Sequence, residues 1–262
     1  MAARSMPFAN IAGRRIEYRA IPGDAARPPL LFLHEGLGST QLWRDFPDRV
    51  AARLGARSLV YSRLGYGHSD ALGAQRTPNF MHEEALTVLP ALVDQTGMHN
   101  ALLVGHSDGA SIALIHAALA RLPVAGLVLM APHVFVEPIC LASIAKVREG
   151  YHASAADAHG LRSRLAKYHA HVDDAFLGWA DVWLQPAFRA WNIEALAAAV
   201  TAPMLLIQGS EDEYGTLAQL DSIQRRAPGP VSRLVLPNCG HSPHRDCEGT
   251  TLDAIVAFAQ AL

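Results

Sequence analysis

The chain has 262 residues, which is enough for one full-sized core and too few for two large independent domains. Half of the residues are hydrophobic, 18% are charged and the formal net charge is −2. These values exclude a disordered chain and give no broad attraction to nucleic acid, so the expected partner is a small molecule.

Residues 1–15 lack the unbroken apolar stretch of a secretory signal. No later segment approaches the roughly 18 consecutive apolar residues of a membrane span. The three cysteines, Cys140, Cys239 and Cys247, are odd in number and have no close metal-ligand spacing, which is typical of reduced thiols. The sequence therefore predicts a cytoplasmic protein with no membrane partner, and a packing role for Cys239.

The predicted strands begin with an alternating segment at residues 15–20, the pattern of a half-exposed edge strand at an antiparallel start of the sheet. Short apolar runs follow, each ending in a glycine or polar turn and leading to a helix-like segment. They lie at residues 29–33, 58–61, 101–104, 127–130, 204–207 and 233–236. This alternation is typical of a mainly parallel sheet covered by helices.

Helical periodicity is clearest at residues 83–95 and 110–122, and Pro90 predicts a kink or a restart in the first of these. Between residues 134 and 199 the strand runs disappear and aromatic side chains become frequent. We interpret 134–199 as a helical cap inserted into a core of residues 1–133 and 200–262. Trp179 and Trp183 share a helix face in this cap, where they either pack it onto the core or line an apolar substrate pocket.

The strongest local signal is the run Gly105-His106-Ser107-Asp108-Gly109, which stands between a predicted strand and a predicted helix. It matches the G-x-S-x-G nucleophile elbow, a sharp turn that exposes a strained serine. Its glycines let neighbouring backbone approach without a Cβ clash. A serine hydroxyl needs a base to remove its proton, so a histidine must reach Ser107.

His241 is the predicted base, because it lies in a loop directly after the run 233–236 and Gly240 permits its close approach. His244 is the main rival, but it follows Pro243 and is expected in the next turn. The acid that orients the base is expected after the run 204–207. Three carboxylates compete there, those of Glu211, Asp212 and Glu213.

With these motifs the chain resembles the α/β-hydrolase superfamily over almost its whole length. That resemblance implies an α/β-hydrolase fold, with a mainly parallel twisted sheet, flanking helices and an inserted helical cap. The family's Gly-x-x-Asp pattern after this strand implies Asp212 as the acid. Glu211 and Glu213 are then expected to be solvated or structural. Glu213 is the better alternative to Asp212 as the acid.

The segment from His34 to Ser39 resembles the family's oxyanion loop, His-Gly-x-x-Gly. By that resemblance, the backbone N–H groups of Gly36 and Asp108 receive the negative charge that develops on the substrate oxygen. Glu35 stands where glycine is usual, and its carboxylate is expected to turn away from that charge or to pair with a cation. Its role is either to anchor the loop or to recognise the substrate.

Three further residues need interpretation. Arg63 has a structural interpretation, whereas Asp108 and His133 each have two. Arg63 lies in a turn that resembles the family's Arg-Gly-x-Gly-x-Ser and is expected to be a tether. Asp108 resembles the acid of biphenyl-hydrolase-like esterases, which implies contact with a cationic substrate group such as an amine; alternatively, it caps the helix beginning near Gly109. His133 is expected on the catalytic side of the sheet, as part of the pocket or as a structural hydrogen-bonding group.

The sequence thus predicts a serine hydrolase that cleaves a small, partly apolar carboxylic ester or related acyl compound through an acyl-enzyme on Ser107, with no metal or cofactor. The predicted substrate contacts are Glu35, His133, Trp179 and Trp183. Two alternatives stay open. One is a carbon–carbon bond hydrolase of aromatic ring-cleavage products that uses the same triad, and the other is a hydrolase-fold ligand receptor with vestigial turnover.

Overall fold

A computed structural model describes residues 7–120 and 122–262 of the chain. In it, eight strands form one sheet in the order β1-β2-β4-β3-β5-β6-β7-β8. Their bounds are Phe8–Ile11 (β1), Arg14–Ile21 (β2), Leu30–Leu33 (β3), Ser58–Tyr61 (β4), Leu102–His106 (β5), Gly126–Met130 (β6), Met204–Gly209 (β7) and Val231–Leu236 (β8). β2 pairs antiparallel with β1 and β4, and the other neighbours pair in parallel, which confirms the predicted mainly parallel sheet.

Helices flank both faces of this sheet. Within the described ranges the α-helices are Phe46–Leu54 (α1), Phe80–Glu83 (α2), Leu89–Thr96 (α3), Asp108–Leu119 (α4), Pro138–Ala153 (α5), Leu161–Leu165 (α6), Val172–Leu184 (α7), Ala218–Arg226 (α8), Pro243–Asp246 (α9) and Glu248–Gln260 (α10). None of the helices in these ranges combines the length and apolar composition needed to cross a membrane.

The central strands are buried on both faces, which explains why their apolar runs are continuous in the sequence. In β3, Leu31 and Leu33 enter one core cluster, while Leu30 and Phe32 enter the cluster on the opposite face. Such division follows from the two-residue period of side chains along a strand. The parallel strands consequently present their carboxyl ends at one common edge, where the loops of the candidate site lie.

The edge of the sheet differs from the prediction. The predicted edge segment at 15–20 belongs to β2, which has neighbours on both sides, and the edge strand is the shorter β1. A tight turn joins the two strands through Ala12 and Gly13, with φ angles of 49° and 79°. Positive φ at both central residues suits the right-handed twist of a hairpin, but alanine gives little sequence signal for it.

The helical stretch around Pro90 begins earlier than predicted, whereas the predicted restart is confirmed, because α3 begins at Leu89 with Pro90 in its first turn. The stretch begins at Phe80 and passes from α2 through a π-helical turn, Glu84–Val88, into α3, instead of starting at residue 83. Proline has no N–H to donate and clashes with the preceding turn of a regular α-helix. The wider π turn directly before Pro90 accommodates that defect, so the helical path continues.

The segment between β6 and β7 contains α5, α6, α7 and two short 3₁₀ turns. Its aromatic side chains form a cluster, in which the rings of Trp183 and Phe188 meet edge to face with centroids 4.8 Å apart and those of Phe188 and Trp191 stack with centroids 5.3 Å apart. The exact division into core and cap at residues 134 and 199 stays a prediction.

Candidate active site

Ser107 occupies a sharp turn between β5 and α4. Its backbone angles, φ 53° and ψ −119°, lie in a region that L-residues with side chains rarely adopt. A Cβ atom at Gly105 would lie 2.5 Å from the carbonyl oxygen of Gly109, and one at Gly109 would lie 2.1 Å from that of Leu33. The two glycines of the motif are therefore required by close backbone contacts on both sides of the serine.

We expect Gly109→Ala to lower the free energy of unfolding by about 1–3 kcal/mol, because the added methyl group overlaps the carbonyl of Leu33. Gly150→Ala is the matched control, since a Cβ atom there meets nothing within 4 Å and alanine favours the interior of α5. Urea unfolding followed by circular dichroism measures both variants. Equal stability of the two variants would contradict a close backbone contact at Gly109.

His241 is held at three points. Its ring Nδ1 lies 2.8 Å from Asp212 Oδ1, its backbone N–H donates to Glu213 Oε2 over 3.2 Å, and its carbonyl oxygen lies 2.7 Å from His106 Nε2. The Asp212 side chain is 1% exposed. Burial alone would raise the pKa of Asp212, but the hydrogen bond and charge interaction with His241 hold that pKa below its usual value.

His244 and Glu211, the alternatives to His241 as base and to Asp212 as acid, have different surroundings. His244 is buried among Trp43, Phe46 and His106, and neither of its ring nitrogens has a hydrogen-bond partner among the described residues. Burial lowers the pKa of His244 well below its usual value, so the ring is neutral. The Glu211 side chain is exposed.

A cavity of about 300 Å³ lies in front of the elbow. Its walls include residues from β5, α4 and α7 as well as from the loops after β3, β6, β7 and β8. The sequence-predicted residues that line it are Glu35, Gly36, Ser107, Asp108, His133, Trp179, Trp183 and His241. Ser107 and His241 thus share one cavity, although no hydrogen bond joins the Ser107 hydroxyl to His241 among the described residues.

Two backbone amides in this cavity are available to a ligand. The N–H groups of Gly36 and Asp108 donate to no other group in the parts of the chain that the structure describes. Asp108 is the first residue of α4, where an amide has no partner within the helix. Anions are favoured at such a helix N-terminus.

Glu35 pairs with a cation, Arg245, as expected from the sequence, and it also lies near the ring of His106. Its Oε1 lies 3.5 Å from Arg245 Nη2, and its Oε2 lies 3.6 Å from His106 Nδ1. Burial by itself would raise the pKa of Glu35, but the interactions with His106 and Arg245 hold it well below its usual value. Its backbone carbonyl also accepts a hydrogen bond from Arg63 Nη2 at 2.8 Å, which anchors the loop.

The prediction that Asp108 caps α4 is wrong. The helix begins at Asp108 itself, with Ser107 in the cap position and no capping side-chain hydrogen bond. The fully buried carboxylate instead accepts a hydrogen bond from Trp183 Nε1 at 3.2 Å and pairs with Arg63 Nη2 at 3.5 Å. The chain's own Arg63 therefore occupies the place of the cation that the esterase resemblance assigned to a substrate.

His133 follows β6 and is buried beside the rings of Trp183 and His241, at centroid distances of 5.2 and 5.7 Å. Burial, reinforced by His241, lowers the pKa of His133 to about 3, so its ring is neutral. Its Nδ1 atom has no hydrogen-bond partner within the described residues. An unpartnered polar atom in the wall of a cavity is suited to contact a ligand.

Comparison with known proteins identifies the family. Residues 30–254 match the family described as "Alpha/beta hydrolase family". The chain belongs to this family. As an α/β-hydrolase it is 24% identical over 266 residues to the sn-1-specific diacylglycerol lipase ABHD11 of Mus musculus, covering 93% of this chain and 84% of that protein.

Solved structures share the fold of this α/β-hydrolase. The enol-lactonase from Burkholderia xenovorans LB400 superposes with a TM-score of 0.77 at 20% identity, covering 97% of this chain and 100% of that one. A meta-cleavage product hydrolase from Pseudomonas fluorescens IP01 superposes with a TM-score of 0.72 at 16% identity, covering 97% of both chains.

Several residues of the α/β-hydrolase site were not predicted from the sequence. One of them is His106, whose ring contacts the His241 carbonyl oxygen; Glu213 was expected to be solvated or structural, and it accepts a hydrogen bond from the His241 backbone N–H. Others line the cavity without a motif to mark them: Leu37, Leu42, Cys140, Ile144, Leu165, Tyr214, Ser242 and Arg245. The described residues contain no group of three or more His, Cys, Asp or Glu side chains arranged to hold a metal ion.

Proposed function

We propose that this α/β-hydrolase is a serine hydrolase that cleaves a small, partly apolar carboxylic ester through an acyl-enzyme on Ser107. The observation that carries the proposal is the hydrogen bond of 2.8 Å between His241 and Asp212, in a cavity shared with a serine at a strained elbow. With Asp212 ionised, Nδ1 of His241 carries the proton, which leaves Nε2 as the basic atom.

In the proposed reaction, His241 Nε2 removes the Ser107 proton while Oγ attacks the ester carbonyl carbon. The bond between carbon and the alkoxy oxygen then breaks, and His241 returns the proton to the departing alcohol. Water attacks the acyl-enzyme with His241 again as base, which releases the carboxylic acid and restores the serine. A small rotation of Ser107 supplies the missing hydrogen bond, since such contacts often tighten only when substrate binds.

The amides of Gly36 and Asp108 are proposed to bind the oxyanion formed in both attacks. Neither amide is engaged by another group of the described chain, so both donors are unoccupied before the reaction. Glu35, next to this site, has its charge offset by the guanidinium of Arg245. The acid at this position therefore adds little repulsion to the developing negative charge.

The cavity supports a small and neutral acyl substrate. Its volume is about 300 Å³, and its walls include the apolar side chains of Leu37, Ile144, Trp179 and Trp183. Asp108 is already paired with Arg63, so we propose no contact between its carboxylate and a substrate amine. Two of the similar proteins are by name a lipase and a lactonase, which agrees with an ester substrate.

A substrate panel combined with active-site labelling tests the proposal. We expect hydrolysis of short-chain aryl esters, and stoichiometric labelling of Ser107 by a fluorophosphonate, located by mass spectrometry. Ser107→Ala should lose both, and His241→Ala should lose most of the labelling rate. Ser232→Ala, on the exposed side of β8, is the matched control and should retain both.

The same panel separates the alternatives. Rapid turnover of vinylogous diketones with negligible ester hydrolysis would show a carbon–carbon bond hydrolase, since the same serine and histidine serve that reaction. Saturable ligand binding without turnover or labelling would show a receptor. Either result would overturn the proposed ester hydrolysis.

A further inference from the structure

His106 precedes Ser107 in the elbow, and its ring reaches the loop that carries His241. The ring is 1% exposed, and its Nε2 lies 2.7 Å from the carbonyl oxygen of His241. A carbonyl oxygen can only accept a hydrogen bond, so Nε2 carries a hydrogen and donates it. This fixes the protonation of one nitrogen of His106.

The other nitrogen, Nδ1, faces the Glu35 carboxylate at 3.6 Å and has no second partner among the described residues. If Nδ1 had no proton, its lone pair would oppose an anionic oxygen inside a buried site, which is unfavourable. A proton on Nδ1 converts that contact into an ion pair. In that arrangement both ring nitrogens of His106 carry a hydrogen, one facing the His241 carbonyl and one facing Glu35.

The neighbours of this pair agree with the charge assignment. Arg245 lies 3.5 Å from the second oxygen of Glu35, which keeps the carboxylate ionised. His244 packs against His106 at a ring-centroid distance of 4.8 Å and has a pKa lowered well below its usual value by burial and by His106. Of these two rings, His106 is the one with a nitrogen within 4 Å of the Glu35 carboxylate.

We propose that Glu35 is a positioning residue for the hydrolysis proposed above: it holds a proton on His106, and His106 in turn fixes the backbone of His241. The inference rests on that proposed function. It gives Glu35 a role that glycine, usual at this place in the family, has no side chain to perform.

The contacts from Glu35 through His106 to His241, here called the relay, join three segments that carry the proposed chemistry. Glu35 is adjacent to the oxyanion amide of Gly36, His106 is adjacent to Ser107, and the relay ends on the carbonyl of His241. The Arg63 guanidinium also holds the Glu35 backbone, by a hydrogen bond to its carbonyl oxygen. A shift of Glu35 would thus move the base relative to the nucleophile, and misplacement of about 1 Å can cost a factor of about 100 in rate.

Nuclear magnetic resonance of histidine labelled with ¹⁵N tests the proton on His106 without any need for substrate. Comparison with His106→Gln assigns the His106 signals in the full-length protein. We expect both of its ring nitrogens to show imidazolium shifts at neutral pH, and one of them to become unprotonated in Glu35→Gln. Glu149→Gln, an exposed acid of α5, is the control and should leave the signals unchanged.

Kinetics on a short aryl ester test the positioning role. We expect Glu35→Gln to lower kcat by about 10- to 100-fold with KM changed less than about threefold, because the base is displaced while the cavity wall keeps its shape. Glu35→Asp keeps the charge and should recover part of kcat. The rate of fluorophosphonate labelling should follow kcat in both variants, and thermal unfolding checks that they are folded.

The outcomes separate this inference from the proposed function. A neutral His106 in the unaltered protein, or one unaffected by Glu35→Gln, would overturn the relay whatever the kinetics show. A rise in KM with unchanged kcat would make Glu35 a substrate contact instead. If no ester is hydrolysed, the proposed function fails, while the resonance result still decides whether Glu35 holds the proton.

Discussion

Asp212→Asn is expected to lower kcat for a short aryl ester by about 10⁴-fold, with KM little changed. The carboxylate accepts N–H groups from four sources: His241 Nδ1, the backbone amides of Tyr214 and Gly215, and Gln208 Nε2. An asparagine has one acceptor oxygen, so either orientation of its amide opposes at least one donor with its own NH₂ group. The variant also loses the negative charge that stabilises the imidazolium formed during proton transfer.

Glu213→Gln is the matched control for Asp212→Asn, because both acids contact His241. The Glu213 contact is with the backbone N–H of His241, and a glutamine oxygen can accept that hydrogen bond equally well. We expect its kcat to fall by less than about 10-fold, since the ring and its tautomer are untouched. Steady-state kinetics at neutral pH measure both variants, and a larger effect at Glu213 than at Asp212 would show that the acid is wrongly assigned.

The parts of the molecule that could be predicted from the sequence are those with local causes. The apolar runs predicted the central strands because side chains of parallel strands are buried on both faces. The elbow at Ser107 could be predicted because Gly105 and Gly109 have no room for a Cβ atom. The loops of the acid and the base were expected after the runs 204–207 and 233–236, the family resemblance selected Asp212 among three carboxylates, and the structure brings its side chain to His241.

Contacts between distant residues could not be predicted in this way. The hydrogen bond from His106 to His241 spans 135 residues, and neither residue carries a local signal for it. The Arg63 and Asp108 side chains are 45 residues apart and meet only because β4 and β5 flank β3 in the sheet. Asp108 was misjudged for the same reason: an aspartate near a helix start usually caps it, but here a distant cation decided its orientation.

The second large effect is expected at Arg63. Arg63→Met should lower the free energy of unfolding by about 3–5 kcal/mol, because it leaves the Asp108 carboxylate buried without its cation. Both side chains of this pair are 1% exposed. Urea unfolding followed by circular dichroism gives the measurement. Arg148→Met removes the half-exposed ion pair of 2.9 Å with Asp181 and should cost far less.

Combining Arg63→Met with Asp108→Asn separates the effect of the buried charge from that of other lost contacts. The amide carries no charge, so the double variant should be more stable than Arg63→Met alone. An unchanged loss of stability would assign it to the other contacts of Arg63, which include the hydrogen bond with the carbonyl of Glu35 and the Tyr66 ring.

The loss in the free energy of unfolding of Arg63→Met, relative to the unaltered protein, is also expected to depend on pH. Burial already raises the pKa of Asp108, and Arg63 offsets part of that rise, so its removal raises the pKa further. An acid whose pKa is higher in the folded than in the unfolded chain binds more protons when folded, so stability falls as pH rises between the two values. Lowering the pH through this window should therefore shrink the loss of stability in Arg63→Met, and it should shrink the loss less in the double variant, where only the buried Glu84 carboxylate still lacks the Arg63 charge. A deficit in Arg63→Met that is constant with pH would mean that Asp108 is not the source of the instability.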